Sequence, residues 1–180
     1  MKESGCRMQR TINMSMDLFK MEEGSYIPHK DLFSVLSLLR NIEREFGAEL
    51  AKKGVQLKTK VGDLLGSEDD FVVKGEQRLV EGMLVNLVKN AVEASPEFET
   101  VSVNVIRETG RIVFEVHNIG EVPHFIRGIF FNQYSTSKRG GTGLGTYSAR
   151  LIARSHKGDV EVDFSKANET TVIAWINAQE

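Results

Sequence analysis

Lys138-Arg139-Gly140-Gly141-Thr142-Gly143-Leu144-Gly145-Thr146 sets four glycines directly ahead of an amphipathic helical pattern that runs to about residue 155. Glycines let successive backbone N–H groups converge with no Cβ in the way, and the helix behind them adds its partial positive end. The stretch therefore has the outline of a phosphate cradle. It is not a P-loop, because no Gly-Lys-Ser or Gly-Lys-Thr closes it. Nor is it a dinucleotide fingerprint, since G-x-G-x-G differs in spacing from G-x-G-x-x-G and lies late in the chain. A flexible surface turn would give the same composition, so the rest of the chain has to decide.

The 180 residues suffice for one ordinary domain with a self-sufficient core, plus an appendage. Twenty-three Lys and Arg face 25 Asp and Glu, with no basic cluster, so nucleic acid is not an expected partner. The lone cysteine, Cys6, excludes an internal disulfide and a cysteine-rich zinc site, which suits a reducing compartment. No apolar run approaches a membrane span, and Met1-Lys2-Glu3-Ser4-Gly5 opens no signal-peptide core. A soluble, cytoplasmic segment without membrane contact is expected.

Working outward from the glycines, a boundary falls at about Gly24. Before it, Met8, Ile12, Met16, Leu18 and Phe19 recur at helical spacing, an isolated helix whose stripe needs a partner. After it, Ile27-Pro28 reads as a connector and Asp31 as the cap of a helix reaching about Lys53, with Phe33, Leu36, Leu39, Ile42, Phe46 and Leu50 on one side. Strand alternation follows over residues 55–61 and 71–74, helix over 77–95, and an antiparallel pair over 100–107 and 111–117. A short helix near residues 124–130 precedes the glycines, and strands over 159–164 and 170–176 close the chain. The expected fold is α+β: a two-layer α/β sandwich whose mixed, mostly antiparallel sheet carries helices on one face.

On the 77–95 helix, Leu79, Val80, Met83, Leu84, Leu87, Val88, Ala91 and Val92 fill one arc at 100° per residue. Asn86, Asn90 and Glu93 gather at its border. Asparagine is a mediocre helix former, so two of them one turn apart suggest oxygen donors for a hard cation such as Mg²⁺. Two solvated amides would give the same pattern. Phe114-Glu115-Val116-His117-Asn118-Ile119-Gly120-Glu121-Val122-Pro123 ends a strand at Asn118 beside a glycine, where a polar side chain can reach a flat heterocycle or close an Asx-type turn. In Ile129-Phe130-Phe131-Asn132-Gln133-Tyr134-Ser135-Thr136-Ser137-Lys138, aromatics can fasten a loop to the core while the lysine points at phosphate.

Together, in this order and spacing, Asn86-x-x-x-Asn90-Ala91, Asn118-x-Gly120, Phe130 with Tyr134-Ser-Thr-Ser-Lys138, and Gly141-x-Gly143-Leu144-Gly145 resemble the ATP-binding catalytic domain of sensor histidine kinases. They match its N box, first glycine box, F box and second glycine box. The superfamily also includes DNA gyrase and the mismatch-repair ATPases. The resemblance covers about Gly24 to Ala178 and implies an ATP-binding catalytic domain over residues 25–180, while residues 1–24 look like the tail of the second helix of the dimerisation and histidine-phosphotransfer hairpin. It implies ATP and Mg²⁺ as cofactors, with Asn90 the principal metal ligand and Asn86 beside it on metal or phosphate. Gly141, Gly143 and Gly145 would offer N–H groups to the phosphates, Lys138 would approach the terminal one, and Thr170 would sit near the adenine. Lys89, Gly120, Val122, Tyr134, Thr142 and Leu144 complete the implied nucleotide contacts, under a lid spanning Phe125 to Gly141. The implied chemistry is phosphoryl transfer.

Two departures from the family pattern bear on function. The base-reading position, usually aspartate, is Asn118 in a box with one glycine fewer. A neutral amide still accepts from an adenine amino group, but more weakly than a carboxylate, so ATP binding with reduced base discrimination is expected. The second departure is the phosphoacceptor, a histidine followed by an acid on the first hairpin helix. His29, His117, His124 and His156 are followed by lysine, asparagine, phenylalanine and lysine. No catalytic residue is therefore assigned within this chain. The expected partners are a histidine-phosphotransfer hairpin, in the same full-length protein or another chain, and a response regulator; a homodimer is expected only with the missing helix. Two other readings stand beside this one. A hydrolysing ATPase of the superfamily carries a glutamate base where Asn86 stands, and an amide cannot take a proton from water. A nucleotide-binding or docking module without catalysis would keep the fold and lose the transfer.

Overall fold

The computed structural model describes residues 15–63, 71–136 and 141–177. It begins in helix α1, residues 15–22, whose Met21 is buried in the hydrophobic core. Met16 and Phe19 from the same stripe are exposed, and residues 1–14 of the expected helix lie outside the described residues. Asp17 accepts a 2.8 Å ion pair from Arg78, and Tyr147 donates its hydroxyl proton to Glu22.

Asp31 does not cap a helix. Asp31–Ser34 is strand β1, paired antiparallel with β3, Val72–Gly75, so that Phe33 is buried across from Val73. Helix α2, Val35–Lys53, starts only after Ser34, whose Oγ accepts from the Ser37 N–H at 3.3 Å. That serine satisfies one of the four donors a helix start leaves free. Val35, Leu38, Leu39, Ile42 and Phe46 form the buried stripe, and Gly54 closes the helix by donating to the Ala51 and Leu50 carbonyls.

The main sheet has the order β2-β4-β5-β7-β6, with β2 Gln56–Asp63, β4 Thr100–Glu108, β5 Arg111–Ile119, β6 Asp159–Asp163 and β7 Glu169–Asn177. β2 runs parallel to β4 and every other pairing is antiparallel. One face alternates Val101, Val103, Val105 on β4, Ile112, Phe114, Val116 on β5 and Val172, Ala174, Ile176 on β7, all buried. Period-two patterning forces these side chains to one side. Against them lie α2, α3 (Gln77–Ala94) and α5 (Gly145–Ser155), completing a two-layer α+β sandwich. The eight apolar positions of the α3 arc are all buried, each such side chain contributing about 1.5–3 kcal/mol when large.

Polar ties set α3 and α5 relative to one another. His156, only 1% exposed, caps the end of α5; its Nδ1 lies 2.9 Å from the Ile152 carbonyl and its Nε2 accepts from the Glu76 N–H at 3.1 Å. Burial pushes this imidazole below its ordinary value, so it is neutral with Nδ1 as donor. At the far edge, burial works against ionising Asp159, but hydrogen bonds from Arg150 and Arg154 outweigh it and hold the carboxyl at about 2.

Candidate nucleotide cleft

Between α3, the ends of β5 and β7, and the glycine segment opens a cleft of about 890 Å³. That size suits a small-molecule ligand. Its three regions are built by different elements.

At the inner end, β5 runs through Asn118 to Ile119, so Asn118 lies within the strand, opposite Thr170 of β7. Strand pairing rather than an Asx turn holds it. Asn118 is 4% exposed, and its Nδ2 has no hydrogen-bond partner among the described residues. A buried donor left unpaired costs about 1–3 kcal/mol, which marks the position as one awaiting a ligand or an exchange of amide ends. Thr170 donates its hydroxyl to the Gly120 carbonyl at 2.8 Å, and the Gly120 N–H donates to the Asn168 carbonyl at 2.8 Å. Gly120 has φ +148°, and a Cβ there would stand 2.7 Å from the Ala94 carbonyl oxygen at the end of α3. Only glycine lets strand and helix meet so closely.

The outer end is the glycine segment. Gly143 has φ +64°, and a Cβ on it would fall 2.4 Å from the Tyr134 carbonyl carbon and 2.7 Å from the Ser135 nitrogen. The glycine segment and the residues before it are therefore in backbone contact. α5 begins at Gly145 with Leu144 at its N-cap, which makes no side-chain cap bond. Its first-turn N–H groups, at the positive end of an 11-residue helix, suit an anion. Short helix α4, His124–Arg127, and the turn after it bring in the aromatics: Phe130 stacks edge-on against Phe131 and Phe164 at 5.0 and 5.8 Å. Thr146 donates to the Phe130 carbonyl at 2.7 Å, which ties that turn to α5.

Along the side wall, α3 presents Asn86, Lys89 and Asn90. Asn86 donates from Nδ2 to the Ser148 Oγ at 3.0 Å, and that hydroxyl donates to the Gly145 carbonyl at 3.0 Å. Among the described residues no group of three His, Cys, Asp or Glu converges to hold a metal. On the α3 wall of the cleft the carboxamides of Asn86 and Asn90 stand one turn apart, with the Glu93 carboxylate one turn further on, oxygen donors that fit a hard cation sharing its remaining positions with phosphate and water. When bound, such an ion would neutralise phosphate charge.

Of the residues singled out from sequence, Asn86, Lys89, Asn90, Asn118, Val122, Gly141, Thr142, Gly143, Leu144, Gly145 and Thr170 line the cleft. Gly120 stands behind its wall. Tyr134, 70% exposed, does not line the cleft and meets the site through its backbone against Gly143. Lys138 and Gly140 lie outside the described residues. Ser148 escaped sequence reasoning, as did Leu18 of α1, which also lines the cleft. The only signal for Ser148 was a hydroxyl at a position of α5 that the helical stripe buries.

Residues 75–180 match the family model described as histidine kinase-, DNA gyrase B-, and HSP90-like ATPase. An uncharacterized sensor-like histidine kinase of Rhizobium meliloti (strain 1021) is 25% identical over 182 residues, taking in 97% of this chain and 34% of that protein. This chain thus spans about a third of that relative's length. Among solved structures, the catalytic domain of histidine kinase ThkA superposes with a TM-score of 0.73 at 23% identity, covering 83% of this chain and 96% of that one. Full-length ShkA in complex with AMPPNP gives a TM-score of 0.74 at 20% identity, over 98% of this chain and 37% of that one. At these identities the two structures speak for the fold.

Proposed function

From the premise that this chain belongs to the histidine kinase-, DNA gyrase B- and HSP90-like ATPase family, we propose that its cleft binds Mg·ATP and donates the γ-phosphoryl group to a histidine on a hairpin outside the chain. The observation that carries this reading is the convergence on one cleft of three groups: the carboxamides of Asn86 and Asn90, the Asn118–Thr170 pair, and the glycine segment at the uncapped start of α5. In this account Asn118 and Thr170 meet the adenine, Asn90 and Asn86 hold the magnesium ion, and Gly141, Gly143 and Gly145 cradle the phosphates. Lys89, on the exposed side of α3 and 3.9 Å from the Glu93 carboxylate, stands at the mouth, where its ammonium would meet the phosphates. Phosphoryl transfer depends mostly on positioning and charge neutralisation, which these groups provide without a side-chain nucleophile.

Asn86 also separates transfer from hydrolysis. The family resemblance implies a glutamate at this position in members that hydrolyse ATP, and an amide cannot take a proton from water. We place the domain in the cytoplasm, within a longer two-component kinase whose hairpin dimerises and whose phosphohistidine supplies a response regulator.

The test joins the chain to a hairpin bearing a phosphoacceptor histidine and supplies magnesium and γ-labelled ATP. Label on the hairpin that is labile to acid and stable to base, and lost in Asn90→Ala, is the expected result. Nucleotide binding with no label transferred would leave a binding module. Steady phosphate release without a hairpin would make the chain a hydrolase.

A further inference from the structure

Ser148 is buried, 4% exposed, one turn into α5, and its hydroxyl bridges two elements of the cleft. Its Oγ lies 3.0 Å from the Gly145 carbonyl oxygen and 3.0 Å from Asn86 Nδ2. A serine hydroxyl has one proton, and a carbonyl oxygen can only accept. The proton therefore goes to Gly145, and the lone pairs left on Oγ accept from the Asn86 amide. Turning that amide over would set its oxygen against a hydroxyl that can serve only one of two acceptors. The observed arrangement makes two hydrogen bonds where the reversed one makes one.

We infer that Ser148 is a positioning residue that fixes the Asn86 carboxamide with nitrogen toward α5 and Oδ1 left for the cleft. Oδ1 stands 3.9 Å, and Asn90 Nδ2 3.5 Å, from the point where a Cβ on Gly145 would be. Both side chains thus face bare backbone at the start of α5. An amide free to flip also populates an orientation that turns its N–H toward the cation site and must give that up when the ion binds, whereas a pinned one presents oxygen from the start. Through the Gly145 carbonyl, the same hydroxyl couples the α3 wall to the glycine segment. The inference rests on the reading of the cleft as a Mg·ATP site. It assigns to a buried serine of the cleft wall a role exerted through Asn86.

The experiment is calorimetric titration of the full chain with AMPPNP, once with magnesium and once with excess EDTA, for wild type, Ser148→Ala, Asn86→Ala and the double variant. Alanine is a better helix former than serine, so the fold of α5 is kept, and the thermal midpoint checks it. Ser148→Ala should weaken the magnesium-loaded affinity about three- to tenfold, the worth of one neutral hydrogen bond, and leave the EDTA affinity within about twofold. In the Asn86→Ala background the same substitution should add nothing, since two residues acting as a unit are not additive. Equal losses with and without magnesium, or fully additive losses, would overturn the positioning role while the site reading stands. A wild type whose affinity magnesium does not raise would overturn the site reading and the inference with it.

Discussion

Gly143 and Gly145 both sit in the glycine segment, yet the backbone assigns them opposite sensitivities. At Gly143, φ is +64°, a region that costs a residue with a Cβ about 1–2 kcal/mol. The new Cβ would also lie 2.4 Å from the Tyr134 carbonyl carbon, and that is main chain, which cannot rotate aside. The Tyr134–Ser135 backbone has to retreat, an overpacking penalty of about 1–3 kcal/mol if the segment keeps its shape. Gly143→Ala should therefore lose at least tenfold in nucleotide affinity, which corresponds to only about 1.4 kcal/mol. At Gly145, a Cβ would find its nearest neighbour, Asn90 Nδ2, at 3.5 Å, an ordinary contact. Alanine at this first position of α5 should keep or raise stability by about 0.5–1 kcal/mol. It nonetheless occupies space between Asn86 and Asn90, so affinity for Mg·ATP should drop. Urea denaturation and equilibrium binding on the two variants decide the matter. If Gly143→Ala retains both stability and affinity, the left-handed turn is not the conformation that binds nucleotide, and the cradle argument fails.

Three further outcomes follow from the same geometry. His156 is held neutral, so above pH about 6.5 its contribution is full; as the pH falls below that, the unfolded chain takes up a proton the folded one resists, and stability declines. Urea midpoints between pH 7.5 and 5.5 should fall for wild type and less steeply for His156→Gln; equal slopes would show that the buried imidazole is not responsible. Thr146→Val removes the 2.7 Å bond to the Phe130 carbonyl and leaves that oxygen short of a partner, for a loss of about 1–3 kcal/mol by denaturation; an unchanged midpoint would mean the aromatics alone hold the turn. Wild type should prefer ATP over GTP through Asn118, and Asn118→Ala should erase the preference in competition binding; a preference that persists places base recognition elsewhere.

The helix arc from Leu79 to Val92 and the strand alternations of β4, β5 and β7 were legible because burial on one side writes a period directly into the sequence. β1 was not, since its four residues pair with β3 some 40 positions later, and only Phe33 of them is buried. With no local period to mark it, Asp31 looked like a cap, while the true cap was Ser34. The parallel pairing of β2 with β4 was equally hidden, because a crossover through β3 and α3 leaves no trace in either strand. At the site, the glycines and asparagines stood out as residue types that need a reason to be where they are. Ser148 gave no such warning, because a serine in a helix is unremarkable until Asn86 is seen to donate to it. Asn118 was visible as a strand-end amide, but that its Nδ2 is buried and unpaired, with the end of α3 and Thr170 of β7 brought up to it, shows only once the chain is folded.

The most direct test of the central claim is titration of this chain with ATP in the presence and absence of magnesium, alongside Asn90→Ala. Saturable one-to-one binding that magnesium strengthens, with that strengthening lost in Asn90→Ala, is the predicted result. Binding that is indifferent to magnesium and unchanged in Asn90→Ala would contradict it.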